Sequence, residues 1–359
     1  MNVIFLNSHR AKSGILNGEI LPQPYVLASK FFDCGIIDRT HTLDVGFSQK
    51  VVDEIPAIDP GFSLSFADIC DLTAKGLIEE SQEKGMKIQV LWSGGIDSTV
   101  ALIALLKNLD PEEYSRLEVT LSLASIDEYP LFFRRHILNK LSFKLINPPI
   151  SNHFGNMALI VTGEHGDQLF GSDKLLPLID NGLAGENYED IWPLYLMNQF
   201  GRAKRVDMIV NYLQPLIQAC PVPIVSTFDL YWWLNFTVKW QQVSMRMAAF
   251  SFAKDLGSLQ SRVRHFFRND QFQQWSLKFH PQRAVTSLKD YKLPAKEYIF
   301  DFTDDPEYLD HKTKEASLKH VIINRNKQGN HRYRMVMDEN YHAVAEIFHR
   351  RFINKNIVS

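Results

Sequence analysis

Apolar and polar positions along the chain alternate between strand-like runs and helix-like stretches. The run from Lys87 to Trp92 is apolar and β-branched, as a buried strand is, and Ser98 to Leu109 carries apolar residues all round, as a helix packed on a sheet does. The alternation continues through a strand at Leu117 to Leu123, a helix around Leu131 to Leu141, a strand at Phe143 to Asn147 and a strand at Met157 to Thr162. Strand and helix in turn predict an α/β fold, a doubly wound parallel sheet with helices on both faces. After Asn187 the pattern becomes mainly helical and aromatic, as in Tyr231-Trp232-Trp233-Leu234-Asn235-Phe236 and at Phe266-Phe267, and an aromatic stripe at helical spacing predicts core. The front, Met1 to about Gln82, mixes short strand-like runs (Val3 to Leu6, Thr42 to Phe47) with turn clusters at Pro22 to Pro24 and Asp59 to Gly61. The expected organisation is a small α/β or β-rich module over 1–85 and a larger domain over 86–359, its sheet within 86–180 and its mainly helical part in 181–359.

Two strand exits carry chemistry. After the first comes Ser93-Gly94-Gly95-Ile96-Asp97-Ser98-Thr99. Glycines without Cβ atoms let the backbone turn sharply and approach a phosphate, while the free N–H groups at the start of the helix face the anion. Ser93, Ser98 and Thr99 add hydroxyl donors. Asp97 has the wrong charge to hold phosphate, so its place among donors suggests a magnesium ligand, an ion commonly held by one or two carboxylates plus phosphate oxygens. A Walker A loop needs a lysine after the glycines and a dinucleotide fingerprint needs GxGxxG; neither spacing occurs. The second exit is Thr162-Gly163-Glu164-His165-Gly166-Asp167-Gln168-Leu169-Phe170-Gly171, with two carboxylates three residues apart. Ligands of open parallel sheets gather at the carboxyl ends of the strands, so both exits are expected to face one crevice.

SGGIDST resembles the SGGxDS loop of the ATP pyrophosphatase superfamily, whose members cleave ATP to AMP and pyrophosphate while activating a substrate as its adenylate. TGEHGDQLFG resembles the [ST]GEGxDELFGG element of asparagine synthetases and β-lactam synthetases, which narrows the resemblance to that branch and implies its HUP-like fold. The resemblance implies magnesium held by Asp97 and Asp167, and Glu164 in contact with the substrate or intermediate, or acting as general base. It implies ATP contacts at Leu91, Ser93, Gly94, Gly95, Asp97, Ser98, Thr99 and Gly163, with adenosine met largely by backbone around Leu121 to Ser125, here assigned to Leu123. Gln168 stands where the family has glutamate, so a negative charge is lost there, and His165 and Ser172 replace a small residue and a glycine. A lone histidine in a turn is read as solvated or backbone-bonded. Ser261 to Phe267 loosely resembles the ARVPFLD element. Leu293 to Ile299, followed by Tyr308 to Glu315, resembles the closing helix and RQKxxF-like segment, where Lys314 would match the lysine reaching phosphates or the acyl adenylate, and Lys312 the preceding basic position.

The implied reaction is adenylation of a small-molecule or peptide carboxylate, then amide formation with ammonia or an amine. Two-domain asparagine synthetases open with a glutaminase whose nucleophilic cysteine follows the initiator methionine, where Asn2 stands here. About 85 residues precede the first loop, and Cys34, Cys70 and Cys220 lack a catalytic signature, so the expectation is no glutaminase, with ammonia or the amine taken free or from another protein. Two other readings stay open: a relative that adenylates a nucleobase or carbonyl oxygen, and a non-catalytic nucleotide-binding regulator.

A formal charge of -2 argues against general nucleic-acid binding, although from His311 onward ten Lys and Arg face four Asp and Glu. No 18-residue apolar stretch marks a membrane span, the opening Met1 to Asn7 lacks the charged start and long apolar core of a signal peptide, and sparse cysteine use leads us to expect a cytoplasmic protein.

Overall fold

The computed structural model describes residues 2–147, 150–249, 251, 255–283, 285, 287–312 and 336–344. Their strands are β1 (Val3–Leu6), β2 (Ile15–Leu16), β3 (Glu19–Ile20), β4 (Lys87–Leu91), β5 (Leu117–Leu121), β6 (Ser142–Leu145), β7 (Ala158–Thr162), β8 (Val263–His265), β9 (Val336–Asp338) and β10 (Ala343–Val344). A five-stranded, all-parallel sheet in the order β6-β5-β4-β7-β8 forms the centre of an α/β fold, as the alternating pattern predicts. The order runs outward in both directions from β4 and β7, so their exits lie side by side at the switch point where parallel sheets open a crevice.

Helix Ile96–Asn108 is buried on nearly every side because it packs against helix Phe66–Glu83 and helix Leu293–Thr303 as well as its sheet. That accounts for its lack of a polar face. Gln89, a polar residue inside the sheet, is satisfied by its side chain: Nε2 donates to Thr120 Oγ1 and His153 O, both at 2.8 Å, and Oε1 accepts from Gly155 N at 2.9 Å.

Three expectations are corrected. Thr42 to Phe47 forms no strand, because the buried Asp38 carboxylate captures the N–H groups of Thr40, Thr42 and Leu43 at 2.7–2.8 Å and bends the chain instead. The helix expected around Leu131 to Leu141 is present but shorter, α-helical at Pro130–Phe132 and π-helical over Phe133–Ile137, and it closes where Leu138 N bonds to Phe133 O. The front is also more helical than its pattern suggested, with Gln23–Phe32 and the 18-residue Phe66–Glu83, whose start is fixed by a reciprocal Ser65–Asp68 capping box. β1 pairs antiparallel with β9, joining the beginning of the chain to its far end.

The aromatic residues of the helical half are core. Trp232, Trp233, Phe236 and Trp240 are fully buried, and Trp232 stacks on His280 with ring centroids 3.7 Å apart. Arg39 ties the front segment to this core: buried against the rings of Phe236 and Trp240, it donates to Asp53 O and Phe236 O at 2.8 Å.

Three histidines are buried with the core, and burial favours their neutral form. It lowers His265 to about 3 and His280 to about 4, and holds His165 well below its ordinary value. Their depressed values mean that the unfolded chain binds protons first as pH falls. Stability is fully present above about pH 6.5 and is lost progressively below it, by roughly 1–2 kcal/mol per histidine between pH 7 and pH 5. Urea unfolding midpoints should therefore fall markedly over that interval; a midpoint unchanged at pH 5 would contradict neutral burial.

Candidate functional site

The two glycine-rich exits are pressed together. Gly94 adopts φ +80°, and a Cβ there would stand 2.9 Å from Glu128 Cβ, which places the first loop against the helix after β5, Leu123–Glu128. A Cβ on Gly163 would lie 2.5 Å from Ser98 N and 2.7 Å from the Asp97 carbonyl carbon, and one on Gly166 within 2.6 Å of Asp97 Oδ2. Only glycines at 163 and 166 let the exit of β7 approach Asp97 this closely.

Within the first loop, Gly95 caps helix Ile96–Asn108, and Asp97 stands in its first turn. Ser98 is buried and its Oγ donates to Gly95 O at 3.1 Å, accepts from Ser93 N at 3.1 Å and lies 3.0 Å from Ser93 Oγ. Thr99 is fully buried and its Oγ1 accepts from Trp92 Nε1 at 3.0 Å. These hydroxyls brace the loop. Leu91 directs its side chain into an apolar cluster with Ile146, Ile160 and Met247, whereas Leu123 is 69% exposed beside the crevice.

Asp97 and Asp167 converge, and the cation between them is Lys292. Its Nζ lies 2.7 and 2.5 Å from the two Asp97 oxygens and 2.7 Å from Asp167 Oδ1. Burial works against the ammonium, but Asp167 and Asp97 outweigh it and hold Lys292 above the ordinary lysine range. Lys292 occupies the left-handed region, φ 60° and ψ 29°, as the residue capping helix Leu293–Thr303.

Glu164 is 5% exposed and paired with Arg246, whose Nε donates to Oε1 at 2.9 Å and whose Nη2 donates to Oε2. Burial raises its carboxyl above the ordinary range; Arg246 opposes that rise, while Asp167 and Asp97 add to it. A carboxyl so placed is easier to protonate than an exposed one, which suits proton transfer, although its charge is shared with arginine. His165 is backbone-bonded, as expected, but buried rather than solvated. Its Nε2 lies 3.2 Å from Trp240 O and 2.8 Å from Ser244 Oγ. Gln168 is buried too, with Nε2 donating to Asn235 Oδ1 at 3.3 Å, so this position packs against the helical half and does not present a charge to the crevice.

Lys312 is tied to the helix that meets the first loop, with Nζ 3.1 Å from Glu128 Oε1. Lys314 lies outside the described residues. The Ser261 to Phe267 segment supplies β8, the parallel neighbour of β7, and Thr162 Oγ1 meets His265 Nδ1 at 2.7 Å across that pair.

Lys292 and Arg246 were missed by reading the sequence. For Lys292 a signal existed: Pro294 marks the start of a helix, and a lysine stands at the preceding cap where Ser, Thr, Asp or Asn is usual. Arg246 gave none, as one cation on the otherwise buried helix Trp240–Ala249. No protein-family description, curated protein or solved structure matches the chain.

Proposed function

We propose that the crevice binds magnesium-ATP and that the protein is an AMP-forming ligase of the asparagine synthetase-like, HUP-fold type. The observation that carries this reading is the convergence of Asp97 and Asp167 from two glycine-rich strand exits onto a single cation at the switch point of a parallel sheet. The donor set fits magnesium: two carboxylates that already share a cation need only phosphate oxygens and water to complete an oxygen shell. Among the described residues no group of three or more His, Cys, Asp or Glu could hold a metal ion, so these two carboxylates would be the protein's share of the shell. Bound there, magnesium would neutralise charge on the polyphosphate.

In this reading the Gly94–Gly95 turn and the start of helix Ile96–Asn108 receive phosphate, and Leu123 lies beside the adenosine. A substrate carboxylate attacks the α-phosphate, giving an acyl adenylate and pyrophosphate; ammonia or an amine then displaces AMP to form the amide. Arg246 steadies Glu164, which takes the proton from the incoming nitrogen. Positioning and charge stabilisation carry most of the acceleration. One observation favours a second reading, a nucleotide-binding regulator without chemistry: Glu164, Asp97 and Asp167 are all ion-paired with the protein's own cations.

Both readings require ATP binding. Radiolabelled ATP should bind the full chain in the presence of magnesium and be lost in the Asp97→Ala variant; absence of binding to the wild-type chain would contradict both. The chain has no helix, among the described residues, long and apolar enough to cross a membrane.

A further inference from the structure

We propose that Lys292 is an internal stand-in for the divalent cation: it holds Asp97 and Asp167 together before nucleotide arrives, excludes the bare metal ion, and yields only to metal already carried on a polyphosphate. This rests on the nucleotide-site reading above and adds an order of binding to it.

The geometry gives the ammonium a full set of partners. Three carboxylate oxygens lie 2.5–2.7 Å from Nζ, and the residue is 3% exposed. The lysine does not reach this position from a loose surface loop. Ser287 and Asp290 bond reciprocally, with Asp290 Oδ2 accepting from Ser287 N at 3.0 Å and Ser287 Oγ at 2.9 Å, and Lys296 Nζ donates to Leu288 O at 2.9 Å and Lys289 O at 3.2 Å. This braced turn presents Lys292 with a left-handed backbone, a conformation that a non-glycine residue keeps only when its surroundings fix it.

A bare divalent ion entering between the carboxylates has to displace a buried ammonium, and the third carboxylate of the crevice, Glu164, is engaged by Arg246. Glu128, beside the first loop, is likewise engaged by Lys312, so the displaced charge stays close to the ion that displaced it and repels it. A polyphosphate changes the balance, because its oxygens receive the ammonium while the metal takes the carboxylates. The exchange needs only the long side chain to swing; the turn stays in place. The site therefore discriminates against free magnesium and admits the magnesium-nucleotide complex.

Binding of Mn²⁺ to the full chain, followed through loss of the free-ion electron paramagnetic resonance signal, tests this without turnover. Measured against the Mn²⁺ held by the analogue alone, wild-type protein should bind the complex of Mn²⁺ with α,β-methylene ATP at least tenfold more tightly than it binds bare Mn²⁺. Lys292→Met, which keeps most of the side chain's length and removes its charge, should bind bare Mn²⁺ at least tenfold more tightly than wild type, and Asp97→Asn in that background should abolish the gain. Equal bare-ion affinity in wild type and Lys292→Met overturns the proposal. Should Lys292→Met not fold, the wild-type comparison decides: bare Mn²⁺ bound as tightly as Mn²⁺ with the analogue overturns the stand-in role while leaving the nucleotide site intact. Failure of wild-type protein to bind the analogue with Mn²⁺ overturns the nucleotide reading itself.

Discussion

Replacing Asp97 by alanine should reduce carboxylate-dependent exchange of pyrophosphate into ATP by about 1,000-fold or more, the scale of losing a charge-stabilising group aimed at the reacting phosphates. Asp167→Ala should do the same. The two carboxylates share one cation, so the double variant should lose little more than either single one, as groups acting as a unit do. Each single change leaves Lys292 with the other aspartate, so the fold should persist. Circular dichroism of the variants would separate loss of chemistry from loss of structure. Exchange within tenfold of wild type in a folded Asp97→Ala protein would remove this residue from the site.

The second large effect is steric. Gly163→Ala would put a methyl group 2.5 Å from Ser98 N and 2.7 Å from the Asp97 carbonyl carbon, against backbone that cannot rotate away. One of the two exits must shift, at a cost of about 1–3 kcal/mol for overpacking of this kind. The shift would fall on the approach of Asp167 to Asp97, so ATP binding should drop more steeply than stability. The paired measurement is ATP affinity against urea midpoint. A variant with wild-type ATP affinity would show that the close approach of the exits is dispensable. Gly166→Ala differs because its methyl group would meet the Asp97 carboxylate, a side chain that can turn, and the burden there falls more on binding than on folding.

Much of the sheet was legible because β7 is a buried apolar run and β4 and β5 are short buried segments set between turns and helical stretches. β8 escaped notice for the opposite reason. It is three residues long and interrupted by Arg264, and only pairing with β7 makes it a strand. Thr42 to Phe47 looked like a strand because alternation records side-chain polarity and not where backbone N–H groups find partners. Asp38, four residues ahead of Thr42, decided that outcome.

The site divides in the same way. Asp97, Glu164 and Asp167 are local features of two motifs, so their spacing along the chain announced them. Their partners are not local. Lys292 reaches Asp97 across 195 positions, and Arg246 reaches Glu164 across 82. No periodicity of either segment records those contacts. Ser98 and Thr99 show the reverse limit, since hydroxyls beside a glycine turn suggest phosphate donors, yet folding turns both inward to brace the loop.

The central claim is that the crevice activates a carboxylate with ATP. Its most direct test is exchange of labelled pyrophosphate into ATP by the full chain with magnesium, screened across small carboxylic acids and peptides. Exchange that appears with one class of acid and vanishes in Asp97→Ala is the predicted result. Exchange that depends on a nucleobase, or ATP binding with no exchange under any acid in the screen, would contradict it.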